Sequence, residues 1–321
     1  MSPNNHIVAR SNGVCSFTRR KPVWMPGGGS IESMENVLRN TRVTLEMIKW
    51  EHSIFALPFA LTGAVLAAGG WPRLVTLGWI LLCMVSARSA AMAFNRLVDA
   101  KIDAANPRTA MRAIPAGQLS PGFVAAFTVV AAVLFVFASA MLNRLTLELA
   151  PFALLVVLSY SYMKRVTRWS HLVLGLALGI APSAAWIAVR GTYDPRMLLL
   201  TGIVILWVGG FDVLYACQDF DYDREVGLFS VPATFGLEGA FWLARAMHLG
   251  VLVLLYSLVR AFALGPVALA GMGVVALLLA YEHSIISPKD LRRMNAAFFT
   301  LNGIISVVFF AAVAIDVLVR R

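Results

Sequence analysis

The chain has 321 residues, of which 59% are hydrophobic and only 14% charged, with a mean hydropathy of +0.76. A soluble domain carries roughly 25% charged residues, so this composition excludes a soluble globular protein and reads as a polytopic membrane protein. The net charge of +10 comes from Lys and Arg set between apolar runs, where they fix topology and attract anionic headgroups or a diphosphate rather than nucleic acid. Cys15, Cys83 and Cys217 are too widely spaced for a disulfide framework or a zinc cluster.

Residues 1–38 hold Arg10, Arg19, Arg20, Lys21 and the run Gly27-Gly28-Gly29, with no apolar stretch of signal-peptide length. They are expected to form a disordered cytoplasmic tail ahead of a transmembrane domain over 39–321, and Met25 and Met34 are alternative starts. A spanning helix needs about 20 mostly apolar residues. Nine such segments follow in order, at 53–70, 74–94, 122–142, 146–163, 171–189, 197–217, 238–259, 262–281 and 296–318. The breaks between them carry turn-formers, among them Gly69-Gly70-Trp71-Pro72, Pro121-Gly122, Gly265-Pro266 and Ser287-Pro288. With the N-terminus inside, 19 of the 27 Lys and Arg fall on the inner side and 7 on the outer, Arg88 being inside a span. The positive-inside rule then puts the N-terminus in the cytoplasm and the C-terminus outside.

The second span runs into Asn95-Arg96-Leu97-Val98-Asp99-Ala100-Lys101-Ile102-Asp103. Residues four apart share a helix face, so Asn95, Asp99 and Asp103 make a polar stripe at its inner end, with Arg88 two turns earlier near the same face. The sixth span ends in Asp212-Val213-Leu214-Tyr215-Ala216-Cys217-Gln218-Asp219-Phe220-Asp221-Tyr222-Asp223, where positions 212, 215, 219 and 223 repeat the helical spacing. Asp221 falls on the opposite face and is left out of the candidate site. Such acids can merely solvate a helix end, but the pattern recurs in both halves. Two carboxylate stripes at equivalent ends repel one another, and a magnesium ion shared between carboxylates and substrate phosphates would relieve that repulsion. Arg108 and Arg112 in the loop after the first stripe, and Lys164 and Arg165 after Tyr160, supply groups that grip phosphate oxygens. A cation-coupled transporter would also hold paired intramembrane acids, but it calls for half-helix breaks at mid-membrane.

These motifs resemble the UbiA superfamily of intramembrane aromatic prenyltransferases. Its first pattern, N-x-x-x-D-x-x-x-D with an arginine seven residues earlier, is matched by Asn95, Asp99, Asp103 and Arg88. Its second, D-x-x-Y-A-x-x-D-x-x-x-D, is matched by Asp212, Tyr215, Ala216, Asp219 and Asp223, and its Tyr-x-x-x-Lys-Arg element by Tyr160, Lys164 and Arg165. The resemblance implies an all-α bundle of nine transmembrane helices, two parallel four-helix repeats plus one, with a central cavity and a lateral opening for a polyprenyl tail. It implies Asp99, Asp103, Asp219 and Asp223, with Asn95, as magnesium ligands and catalytic residues. Asn95, Arg108, Arg112, Lys164, Arg165 and Tyr215 would bind the donor diphosphate. Lys49, His52, Arg88 and Asp212 are candidates to meet the aromatic acceptor, although a lone histidine such as His52 also serves as a packing or capping group. The stretch from Lys49 to Phe59 and the phrase from Gln218 to Gly236 are similar to the bacterial 4-hydroxybenzoate polyprenyltransferase-like branch. A dihydroxynaphthoate acceptor of the futalosine route to menaquinone, haem or a lipid glycerol are alternatives within the same superfamily. The expected setting is the inner membrane, in ubiquinone or menaquinone biosynthesis; oligomeric state is not encoded in any of these features.

Overall fold

The computed structural model describes residues 29–48 and 53–320, and all regular structure there is helical. Contacts divide the chain between Thr41 and Arg42. Helix α1 (Gly29–Ile48) begins ahead of the boundary expected at 38/39. Helices α2 (Ser53–Ala68), α3 (Leu74–Ala105), α4 (Pro121–Ala140), α5 (Arg144–Met163), α6 (Ser170–Arg190) and α7 (Met197–Ala216) follow. A short 3-10 turn, Cys217–Asp219, leads into α8 (Phe220–Val226), and α9 (Val231–Ala261), α10 (Pro266–Ile285) and α11 (Asn302–Val319) complete the chain, α11 being preceded by a π-helical turn at Ala296–Leu301.

Eight of these segments are long and apolar enough to cross a membrane, α7 to α8 counting as one. Every expected span has its helix, but the first, α2, has only 16 residues and is about 24 Å long, short of the roughly 30 Å hydrocarbon core. By contrast, α3 has 32 residues without a break, about 48 Å. It is longer than one crossing needs, and its last turns carry Asn95, Asp99 and Asp103. The chain is a polytopic membrane protein.

Two boundaries and the placement of one arginine depart from the sequence reading. The expected span 262–281 begins instead at Pro266, the first residue of α10 with Gly265 as its cap, because a hydropathy window counts the apolar loop Phe262-Ala263-Leu264 as helix. α9 starts at Val231, capped by the Ser230 side chain, but Gly236 breaks it at φ 75° and ψ 171°, a conformation open only to glycine. The straight part of α9 thus matches the expected start at 238. Arg245, counted with an inner loop, lies inside α9 with its guanidinium 5.0 Å from the Trp242 ring centre.

Small residues let the helices that frame the site approach closely. A Cβ on Gly63 of α2 would collide with the Pro182 carbonyl oxygen of α6, and one on Gly175 of α6 would stand 2.5 Å from the Ile205 carbonyl oxygen of α7. Around this contact Phe59, Trp186, Leu200, Trp207 and Phe211 form the largest buried cluster, Phe59 and Trp207 having ring centres 4.9 Å apart.

Candidate functional site

The C-terminal ends of α3 and α7 meet around a cavity of about 780 Å³, lined by Arg88, Asn95, Asp99, Asp103, Arg108, Arg112, Lys164, Asp212, Tyr215, Asp219 and Asp223. Every described candidate of the sequence reading lines it except Arg165, which reaches the site through its hydrogen bond to Asp99. Lys49 and His52 lie outside the described residues.

On α3, Asn95 Nδ2 donates to Asp99 Oδ2 at 2.9 Å, and Arg165 Nη2 donates to Asp99 Oδ1 at 2.8 Å and to the Val98 carbonyl. Asp103 Oδ1 accepts from Arg112 Nη1 at 2.7 Å, while Arg96 Nη1 lies 4.0 Å from Asp103 Oδ2. Asp219 accepts a fork from Arg108, Nε to Oδ1 at 2.8 Å and Nη2 to Oδ2 at 2.6 Å. This bidentate pair joins the loop after the first motif to the second motif, so the two stripes share one end of the bundle. The guanidinium of Arg108 stands 5.8 Å from the Tyr215 ring centre. Burial opposes its charge, but the Asp219 carboxylate outweighs that and lifts its pKa.

One correction follows. The second stripe is not one α-helix: α7 ends at Ala216 and a 3-10 turn carries Asp219 before α8 carries Asp223. Both acids are nevertheless buried, and Asp221 is exposed. Asp221→Ala should therefore keep turnover within about twofold of the parent, as surface changes do, in a product-formation assay; a loss as deep as that of Asp219→Ala would place Asp221 in the site.

Repulsion among the four acids is also relieved within the chain, by an arginine paired with each of three of them. Among the described residues no three acids, histidines or cysteines converge on one point. A magnesium ion would accordingly be held by one or two carboxylates and completed by phosphate oxygens, the usual habit of that ion. Asp103 Oδ2, buried and without a hydrogen-bond partner, has the chemistry to serve.

Lys164 differs from the three arginines. It is half-buried in the cavity wall, and among the described residues it has no carboxylate within ion-pair distance. Burial pulls its pKa down, but Tyr160 and the carboxylates of Asp212, Asp223 and Asp219 outweigh this and hold it above the usual lysine value. It stays an ammonium ion.

Sequence reasoning missed three members. Arg96, taken only as a topology-setting charge, is buried on the cavity wall; its spacing of three to Asp99 and seven to Asp103 could have found it. Tyr222, in the second motif, donates its hydroxyl to the Ile102 carbonyl at 3.2 Å. His171, on α6, contacts Asp212 across 41 residues of sequence, and no local spacing announces that.

Toward the membrane interior a second cavity of about 740 Å³, almost wholly apolar, lies among α3, α4, α5 and α6. Arg88, Met92, Tyr160, Leu174 and Leu178 line both cavities. A chamber lined by both acids and bases thus shares a wall with a greasy one, and that wall contains Arg88 and Tyr160.

Residues 56–304 match the UbiA prenyltransferase family. The chain is 32% identical over 253 residues to the 4-hydroxybenzoate octaprenyltransferase of Vibrio cholerae, an alignment spanning 78% of this chain and 88% of that one. Among solved structures it superposes on an apo UbiA homologue from Aeropyrum pernix K1 with a TM-score of 0.76 at 32% identity, covering 83% of this chain and 98% of the other. A UbiA homologue from Archaeoglobus fulgidus bound to DMAPP and Mg2+ shares the fold, with a TM-score of 0.66 at 18% identity over 86% of this chain and 99% of that one. With the two aspartate motifs at one end of an all-helical membrane bundle and a family match over most of its length, the chain belongs to the UbiA prenyltransferase family.

Proposed function

We propose that the chain transfers a polyprenyl group from an isoprenyl diphosphate to a ring carbon of 4-hydroxybenzoate, in the inner membrane, with the site facing the cytoplasm. The observation that carries this reading is the pair of adjoining cavities: an acid- and base-lined chamber suits a diphosphate, and the apolar one beside it suits an isoprenyl chain. The aromatic acceptor is favoured by the name of the Vibrio cholerae relative, and magnesium by the ligands of the Archaeoglobus fulgidus homologue.

In this reading Lys164, Arg108, Arg112 and Arg165 receive the phosphate oxygens, the arginines exchanging part of their hold on the aspartates for the incoming charge. Asp99, Asp103, Asp219 and Asp223, with Asn95 beside them, are the groups from which one or two carboxylates would hold the magnesium, phosphate oxygens completing its shell. When bound, that ion neutralises charge developing on the departing diphosphate. The allylic carbon–oxygen bond breaks, apolar walls keep water from the allylic cation, and the ring carbon ortho to the hydroxyl forms the new carbon–carbon bond. Loss of that carbon's proton restores the aromatic ring. Arg88, at the junction of the cavities, is placed to meet the acceptor carboxylate.

Mass spectrometry of membranes supplied with isoprenyl diphosphates and either 4-hydroxybenzoate or a dihydroxynaphthoate tests the assignment. Prenylated 4-hydroxybenzoate is expected. Product from the naphthoate alone would move the acceptor, and product from neither would remove aryl transfer. For orientation, a reporter fused after Arg321 is expected outside and one placed between Asp103 and Pro121 in the cytoplasm. Both reporters on one side would mean that a crossing has been miscounted.

A further inference from the structure

His171 is 1% exposed, a degree of burial that on its own indicates only a satisfied core side chain. Both of its ring nitrogens are spoken for, and the two contacts differ in kind. Nε2 accepts from the Val231 backbone N–H at 3.3 Å, at the first turn of α9. A backbone N–H can only donate, so the ring proton resides on Nδ1. Nδ1 lies 2.7 Å from Asp212 Oδ2 and therefore donates to it. The contact exists because α6 and α7 approach through Gly175 and Gly179, whose added Cβ atoms would meet the Ile205 and Thr201 carbonyl oxygens at 2.5 and 3.0 Å.

Asp212 is no core residue: its side chain is 17% exposed and it lines the polar cavity. It precedes Asp219 by seven residues, about 10 Å along a helix, and so lies deeper than the carboxylates assigned to the diphosphate, nearer the level of Arg88 and Tyr160. One carboxylate oxygen is committed to His171, which fixes the plane of the group and leaves the other to a ligand.

We propose that His171 is a positioning residue: it clamps the Asp212 carboxylate so that its remaining oxygen accepts a hydrogen bond from the hydroxyl of the phenolic acceptor. This rests on the proposed aryl transfer. The Val231 contact fixes the ring tautomer, and the Asp212 contact sets where the acceptor hydroxyl stands relative to the prenyl carbon.

Three substitutions separate this role from packing. His171→Leu removes both ring contacts, His171→Gln offers an amide donor and acceptor in their place, and His171→Asn reaches Asp212 but not Val231. With purified full-length enzyme, His171→Leu is expected to raise the acceptor KM about tenfold or more, the size of one charge-assisted hydrogen bond, with the donor KM within about twofold. Asn and Gln at this position are expected to restore the acceptor KM to within about threefold. In an Asp212→Asn background, His171→Leu should add little further, because the two residues act as one unit. An unchanged acceptor KM in His171→Leu, a parallel rise in both KM values, or a His171→Asn enzyme as impaired as His171→Leu would each overturn the clamp. If His171→Leu does not fold, the Asn variant decides alone, since only an anchoring role at α9 predicts its failure. A parent enzyme that prenylates no phenol would sink the proposed function and this inference together, whereas an active parent with indifferent variants sinks only the latter.

Discussion

Asp219→Asn and Asp99→Asn should each lower turnover by about a hundred- to a thousandfold, the cost of removing one preorganised group that stabilises transition-state charge, while the protein still inserts and purifies as a monodisperse species. Asp219 receives both arms of the Arg108 guanidinium, and Asp99 is shared between Asn95 and Arg165. An amide at either position is close in shape, so packing survives. What is lost is a negative charge on which both a basic partner and the inferred magnesium depend. The affected quantity should be turnover at saturating donor, because the freed arginine keeps its own attraction for diphosphate. Near-parental turnover in either variant, with gel filtration confirming folded enzyme, would remove that aspartate from the chemistry.

The parts of this architecture that were legible in the sequence are those set by local periodicity. Unbroken apolar runs announced the spans, and the four-residue spacing of Asn95, Asp99 and Asp103 announced a face that α3 indeed turns to the cavity. The same reasoning set Asp221 apart from Asp219, and it did so despite the intervening 3-10 turn, because a slight tightening over three residues leaves a two-residue offset on the far side. What periodicity cannot express is who meets whom across the bundle. Arg108 and Asp219 are 111 residues apart, and Arg165 and Asp99 are 66. A sequence reader sees surplus acids in one list and surplus bases in another and assigns each to an external ligand, whereas the fold pairs them with each other. His171 is the clearest case, since a histidine at the second position of an apolar helix carries no mark of the carboxylate on the next helix.

That internal pairing sharpens what to expect from the basic residues. Lys164 and Arg112 both face the polar cavity, but Arg112 is tied to Asp103 at 2.7 Å while Lys164 has no carboxylate within ion-pair distance among the described residues. Lys164 nevertheless stands in the field of Asp212, Asp223 and Asp219, which keeps it charged. An ammonium ion held charged and not spent on a partner is the group most ready to receive a phosphate oxygen. Lys164→Ala should therefore raise the donor KM by about ten- to a hundredfold, equivalent to the roughly 1.5–3 kcal/mol of a charge-assisted hydrogen bond, and leave the acceptor KM near its parental value. Arg112→Ala should cost less on the donor side, because binding must first loosen Arg112 from Asp103 and part of its gain is already offset; Arg96, 4.0 Å from Asp103, remains to balance that carboxylate. If these charges served only to orient the chain in the bilayer, both substitutions would lower the amount of inserted protein and leave the kinetics of inserted enzyme untouched. Donor KM values measured on purified enzyme decide between the two: equal and parental values in both variants would return Lys164 to topology and leave the diphosphate to the arginines.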